Sequence, residues 1–427
     1  MNWTRRRVVL VLGSAAATLL VTLVTLNLMP AERKIGQRIE RLYELGSPQY
    51  FRSIGVLLGP PTLAGNRVEA FQNGAEIFPA MLAAIHAARK TITFETYIYW
   101  SGDVGRAFAG ALAERARAGV RVHVLLDWVG SQKIDDALLG ELRAAGIEIE
   151  LYRPLRWYHL SRLNNRTHRK LLVIDGRVGF TGGVGIADKW DGRAQDADHW
   201  RDSHYRAEGP VVAQMQATFL DNWMKVTGIV LHGADYFPPV EPSGDARAQV
   251  FSSSPEGGSD SMQLMYLIAI TAAARSIEIA SAYFVPDQLT TNALVDAMQR
   301  GVKVRMVLPG PIIDNDIVRR ASRADWGPLL EAGAEIYEYQ PTMFHCKVMI
   351  VDGLLVSVGS TNLDVRSFRL NDEANLNVYD RAFAARQTAV FDADIARSDR
   401  VTLAKWQARP WHEKVIERAA SLVGAQL

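Results

Sequence analysis

Two stretches of this chain carry residue types that suit one piece of chemistry. THRKLLVIDGRVGFTGGVG holds His168, Lys170 and Asp175, then Gly182-Gly183; FHCKVMIVDGLLVSVGSTN holds His345, Lys347 and Asp352, then Gly359-Ser360. In both the order is His-x-Lys, four residues, Asp, six residues, then Gly-Gly or Gly-Ser. An identical spacing twice in one chain is hard to reach by chance. Alternate side chains of a strand share a face, so each His points the same way as its Lys. A His and a Lys beside a small-residue backbone suit a phosphate: imidazole attacks or moves a proton near neutral pH, and ammonium supplies fixed positive charge. A metal site is a poorer reading, because His-x-Lys-x4-Asp puts a cation where a ligand is needed. No metal or cofactor is expected.

The elements that position these residues follow from the same letters. Asp175-Gly176 and Asp352-Gly353, flanked by apolar runs, predict two-residue hairpin turns. Pairing about such turns puts Lys347 opposite Val358, His345 opposite Ser360 and His168 opposite Gly183. Asp175 and Asp352 then sit at strand ends, roughly 16 Å from their lysines at ~3.3 Å per residue, which suits turn formation better than proton transfer.

The paired motif resembles that of the phospholipase D superfamily, whose members carry His-Lys-Asp twice. Within it, GSTNLDVRSF, FETYIYWSGD, EIYEYQPTMFHCK and WRDSHYRAEGPVV are similar to bacterial cardiolipin synthases, and the likeness runs from about Asn66 to Arg400. The resemblance implies a duplicated α/β sandwich with pseudo-twofold symmetry and one metal-free site between the halves, built on His168, Lys170, Asp175, His345, Lys347 and Asp352. It implies transfer of a phosphatidyl group between two phosphatidylglycerol molecules through a phosphohistidine, with His168 as nucleophile and His345 as acid. A phospholipase D hydrolase, or a transferase with another donor or alcohol, would use the same residues. Each His needs a carboxylate to orient its ring. Glu373, 28 residues after His345, is where the superfamily places that partner, and Asp202 of Trp200-Arg201-Asp202 is the candidate for His168. Gly182, Gly183, Ser360 and Asn362 are expected around the phosphate, with Asn371 and Ser367 behind them. One departure stands out: Gly185 occupies the place that Asn362 has in the second copy.

Composition is globular, at 48% apolar and 22% charged, and the formal charge of +2 gives no case for nucleic acid. Cys346 is the only cysteine, so no internal disulfide forms; between His345 and Lys347 it turns to the opposite face as a small buried residue. Val8 to Met29 carries no charge and is long enough to cross a bilayer. A cleaved signal peptide is the rival to a single-pass anchor, but no small-x-small site follows the run. Arg5, Arg6 and Arg7 before the span place the N-terminus in the cytoplasm and the bulk of the chain outside a bacterial inner membrane, against the weaker pull of Arg33 and Lys34.

The chain divides into an anchor (1–30), an amphipathic juxtamembrane segment (31–65), a first phospholipase D-like domain (66–230), a second (247–400) and an amphipathic tail (401–427). Ile35, Ile39, Leu42 and Tyr43 predict a short basic helix, lying on the membrane or on the catalytic body. From Asn66, strands at 92–100, 120–127 and 147–154 alternate with helices at 79–89, 105–118, 135–145 and 211–226, the pattern of an α/β domain. The second half answers the first at offsets between 177 and 187 residues: Tyr283 answers Tyr97, RGVKVRMVLPG answers AGVRVHVLLD, EAGAEIYEYQP answers AAGIEIELYRP. His123, His199 and His204 read as structural, and Asp188, Asp191, Asp196 and Asp198 as a solvated loop. Tyr97, Tyr99 and Trp100 line either the core or a lipid channel. Trp411, Val415, Ala419 and Leu422 form one stripe after Pro410, either a docking face or a membrane-surface face.

Overall fold

Two copies of one apolar strand pattern build two copies of one sheet. The computed structural model describes residues 3–28, 35, 38–154, 165–255 and 261–423. In the first half the strands run in space as Glu148–Tyr152, Arg121–Asp127, Thr91–Thr96, Leu171–Ile174, Val178–Gly182, Ser203–Glu208 and Leu63–Gln72. The first three are parallel and the remainder antiparallel. The second half repeats the order with Glu335–Tyr339, Lys303–Pro309, Ser276–Ser281, Lys347–Val351, Leu355–Gly359, Asn371–Tyr379 and Ala246–Ser253. Leu63–Gln72 pairs with Ala246–Ser253, so the halves join edge to edge and hide the two edges that would otherwise be open.

Three large apolar clusters follow among the described residues. Helices Asn73–Ala87, Asp103–Arg117 and Asp136–Ala144 cover the outer face of the first half. Pro48–Leu58, Ser261–Ala272 and Gln288–Gln299 cover that of the second. The inner helices Val212–Thr227 and Arg381–Ile395 share a third cluster that takes residues from both halves.

The sequence expectations hold for most elements and fail at three. The described residues 38–46 form no helix; Ile39 and Tyr43 pack singly on the second half, and Arg38 pairs with Asp296 at 2.9 Å. The helix comes later, at Pro48–Leu58, where Ser47 accepts the Tyr50 N–H, Pro48 opens the first turn and Tyr50, Ile54 and Leu58 are buried. Pro79 lies inside the helix Asn73–Ala87 rather than at its start. The strand expected to reach residue 100 ends at Thr96. Trp3–Leu28 is helical and exposed through the apolar stretch Arg6–Leu23, long enough to cross a membrane; Arg33 and Lys34 lie outside the described residues.

Both hairpins take in one residue more than expected. Asp175 and Gly176 have φ of 54° and 63°, Asp352 and Gly353 have 54° and 58°, as a turn with two left-handed centres requires. Yet the ladders resume at Ile174↔Val178 and Val351↔Leu355, so Arg177 and Leu354 bulge out. Every partner shifts by one place: Val348 faces Val358, and Lys347 therefore comes opposite Gly359. The bulge follows from what the Asp carboxylates hold. Asp352 accepts the N–H groups of Ala274, Arg275 and Ser276 at 2.9, 2.7 and 3.0 Å. Asp175 does the same for Arg89, Lys90 and Thr91. Each motif aspartate thus ties its hairpin to the start of the neighbouring strand, at the sheet end remote from the His-Lys pair.

Asp352→Asn should lower stability by roughly 1–3 kcal/mol, because its amide NH2 would face a backbone N–H that now meets a carboxylate oxygen. The folded fraction should keep most of its turnover. Denaturant melts and the specific activity of refolded protein check this; an Asp352→Asn protein as stable as the parent and inactive would place the carboxylate in the chemistry.

Candidate active site

The segment before each motif histidine adds itself to the opposite half. Arg166 and Thr167 pair in parallel with Asn371 and Asp372, and His168 donates its N–H to the Asp372 carbonyl at 2.9 Å. Phe344 bridges Arg201 in the same way, and His345 donates its N–H to the Arg201 carbonyl at 2.8 Å. Asp127 and Glu95 fix the first of these segments by accepting the Thr167 N–H and hydroxyl.

This crossing decides which carboxylate each histidine meets. His168 Nδ1 lies 3.0 Å from Glu373 Oε1, and His345 Nδ1 lies 2.7 Å from Asp202 Oδ2. The expected assignment, Glu373 to His345 and Asp202 to His168, is therefore reversed. Chain spacing alone favours the nearer carboxylate, but backbone bonds across the interface set the distance. Both carboxylates are wholly buried and further held. Glu373 accepts from Ser360 Oγ at 2.5 Å and Asn371 Nδ2 at 3.2 Å. Asp202 accepts from Trp190 Nε1 at 2.9 Å and from the Ser203 N–H at 2.8 Å.

The electrostatics leave neutral rings against ionised carboxylates. Burial, reinforced by Lys170, pushes His168 down to about 4 despite the pull of Glu373. Burial and then Lys347 push His345 down as well. Burial opposes ionisation of Glu373 and Asp202, yet the facing histidine and lysine of each hold both below the usual carboxylate range. Neutral imidazole then donates Nδ1–H to its carboxylate and keeps a lone pair on Nε2. Burial and the nearby Lys347 push Lys170 down to about 7, and burial lowers Lys347. Two ammonium groups that repel each other in a buried site gain most from an anion placed between them. Each is aimed by a bond to the carbonyl of its own histidine, at 2.9 Å for Lys170 and 2.7 Å for Lys347.

The small residues leave room for the buried groups beside them. A Cβ at Gly183 would come within 2.1 Å of Asp202 Oδ1, and the Gly183 N–H is bonded to the Ser203 carbonyl. A Cβ on Gly182 would meet His204 Nδ1 at 2.5 Å. Ser360 spends its hydroxyl on Glu373 and its N–H on the Ala374 carbonyl. Asn362 is buried, with its N–H on Ser367 Oγ at 3.3 Å. Gly185 stands where the second copy has Asn362: a Cβ there would lie 2.8 Å from Ile98 Cβ and 3.1 Å from the Trp190 ring.

Trp190 and Trp200 are the residues that sequence reasoning missed. Their rings flank His345 with centroids 5.3 and 5.4 Å away. Tyr97 does the equivalent for His168 at 5.3 Å, whereas Tyr99 is core and Trp100 bonds the Gly130 carbonyl. Among the acids read as a solvated loop, Asp188 instead caps the helix Asp103–Arg117 by accepting the Val104 N–H at 2.9 Å. His123 is a core histidine on Tyr236, and Cys346 is buried with Ser203. Arg201 carries a bidentate bond to Asp394 of the other half, both contacts 2.9 Å, next to Asp202.

Glu373→Gln should perturb the ring resonances of His168 and leave those of His345 in place, and Asp202→Asn should do the reverse. Each should cost about 10²–10⁴ in turnover through loss of the correct tautomer. In the same nitrogen-15 titration His168 should stay neutral until the pH falls to about 4. Perturbation of His345 by Glu373→Gln would refute the crossed geometry.

Comparisons with known proteins identify the family. The family model described as cardiolipin synthase, phospholipase D-like domain matches residues 81–223 and 266–395, one match per half. A cardiolipin synthase of Geobacillus kaustophilus is 37% identical over 86% of this chain and 74% of its own length. The major cardiolipin synthase ClsA of Bacillus subtilis is 33% identical over 84% and 75%. The crystal structure of a phosphatidylserine synthase from Haemophilus influenzae superposes with a TM-score of 0.70 at 13% identity, covering 89% of this chain and all of that one, which is a likeness of fold. The chain belongs to the phospholipase D-like cardiolipin synthase family and is a phosphatidyltransferase of that kind.

Proposed function

We propose that the chain joins two phosphatidylglycerol molecules into cardiolipin and glycerol through a phosphohistidine on His168. The observation that carries this reading is the pair of crossed histidine–carboxylate contacts with two lysines between them. His168 Nε2 attacks phosphorus; the N–P bond forms, the bond to the glycerol oxygen breaks, and His345, protonated on Nε2 once the anionic phosphodiester fills the site, gives that oxygen its proton and becomes neutral. A hydroxyl of the second phosphatidylglycerol then attacks, His345 takes its proton, and the N–P bond breaks. Lys170 and Lys347 balance the charge of the five-coordinate phosphorus, with the Asn362 side chain as a neutral donor. His168 suits the nucleophile because it stays neutral, with a free lone pair, far below neutral pH.

Purified enzyme given labelled phosphatidylglycerol should yield cardiolipin and free glycerol by mass spectrometry. His168→Ala and His345→Ala should each lose at least about 10³ in turnover, because one site needs both rings. Phosphatidic acid as the sole product would replace this reading with a hydrolase. A phosphorylated residue 345 trapped in His168→Ala would exchange the two roles.

We further place the charge-free run that starts at Val8 in the inner membrane, with the catalytic halves on the extracytoplasmic side, from the Arg5-Arg6-Arg7 cluster that precedes it. A reporter fused after Leu427 should be active only outside the cytoplasm; activity confined to the cytoplasm reverses the orientation.

A further inference from the structure

The C-terminal helix Trp411–Val423 has one face docked and one left open. Its inner face presents Ala420 to Val318 and Ala321 of the helix Asp316–Ala324, and buried Glu417 to Arg323 at 3.2 Å and to Arg409. Its outer face carries Trp411, Val415 and Leu422, exposed by 77, 58 and 80%. Ile317, on the supporting helix, is 50% exposed. Lys414 and Arg418, both exposed, border the stripe along one side.

That face lies close to the chemistry. The supporting helix starts two residues after Asp314, whose carboxylate accepts the Tyr283 hydroxyl at 2.7 and 2.6 Å. Tyr283 is the counterpart of Tyr97, which stands against His168. Asp314 is near enough for its charge to act on both His345 and Lys347.

We propose that this stripe seats the catalytic body on the surface of an anionic phospholipid bilayer, with Trp411, Val415 and Leu422 in the interfacial layer and Lys414 and Arg418 against phosphate headgroups. Three observations select a bilayer over another protein surface. The same chain carries a helix long and apolar enough to cross a membrane, so a bilayer is within reach. Large apolar side chains with a terminal tryptophan and bordering cations are what an interfacial helix requires. The stripe is also one helix removed from a site whose family acts on phospholipid, so docking would bring lipid headgroups to the lysines without extracting a chain into water.

The test uses the full chain in nanodiscs containing phosphatidylglycerol and does not depend on turnover. A polarity-sensitive dye is attached at Leu422→Cys, at Val415→Cys in a second protein, and at exposed Glu141→Cys as a control; buried Cys346 is not labelled in the native state. Emission at 415 and 422 should shift to the blue, and lipids spin-labelled near the headgroup should quench it several-fold more than at 141. Lys414→Glu with Arg418→Glu should weaken that quenching in anionic bilayers. A dye that stays water-exposed and unquenched in nanodiscs overturns the proposal. So does a dye shielded equally in detergent with a doubled mass by light scattering, which would show a second copy on the stripe.

Discussion

The site depends on short runs of backbone hydrogen bonds that cross from one half to the other. His168 and His345 each give their N–H to a carbonyl on a strand or bridge of the opposite half, and that single contact puts each ring beside the other half's carboxylate. Neither half alone holds an oriented histidine. The buried Arg201–Asp394 pair and the bonds from Arg169 to the Thr218 and Ser253 carbonyls brace the same crossing, one residue away from Asp202 and His168. Breaking either partner of such a buried contact leaves an unpaired charge, so the crossing is expensive to undo once formed.

Inside that frame the charges are balanced before any substrate arrives. Two lysines face two carboxylates, and both imidazoles are held neutral by burial and by the ammonium groups beside them. Removing water makes each of these interactions stronger. Under the proposed reaction a phosphodiester brings its own negative charge to the two lysines. Donors fixed in advance need no reorganisation as charge builds on phosphorus, which is where such a site gains its rate.

Duplication gave the scaffold and its symmetry, and small departures made the two histidines unequal. Gly185 in place of an asparagine leaves room for Ile98 and for Trp190, which bonds Asp202 and flanks His345 together with Trp200. His168 has one tyrosine beside it and a carboxylate anchored by Ser360 and Asn371. The two-step exchange proposed above needs one ring that bonds phosphorus and one that carries a proton, and unequal walls would separate those tasks.

The sequence by itself determined the repeat, the order of strands and helices in each half, the His-Lys pairs and the turn role of Asp175 and Asp352. Period-two apolar runs, Asp-Gly signals and identical spacings are local properties, and local properties survive folding. It did not determine register, because Asp-Gly fits a turn with or without the following residue, and the carboxylate's hold on the neighbouring strand picks the longer one. Nor could it tell which carboxylate serves which histidine, since residues 168 and 373 meet only through pairing between halves. Helical spacing at 35–43 and at 411–422 marks apolar faces without saying what they meet; packing used Ile39 and Tyr43 singly and left Trp411, Val415 and Leu422 in the open. Tertiary structure decided these points because each depends on contacts between residues far apart in the chain, and their energies are invisible to any local window of sequence.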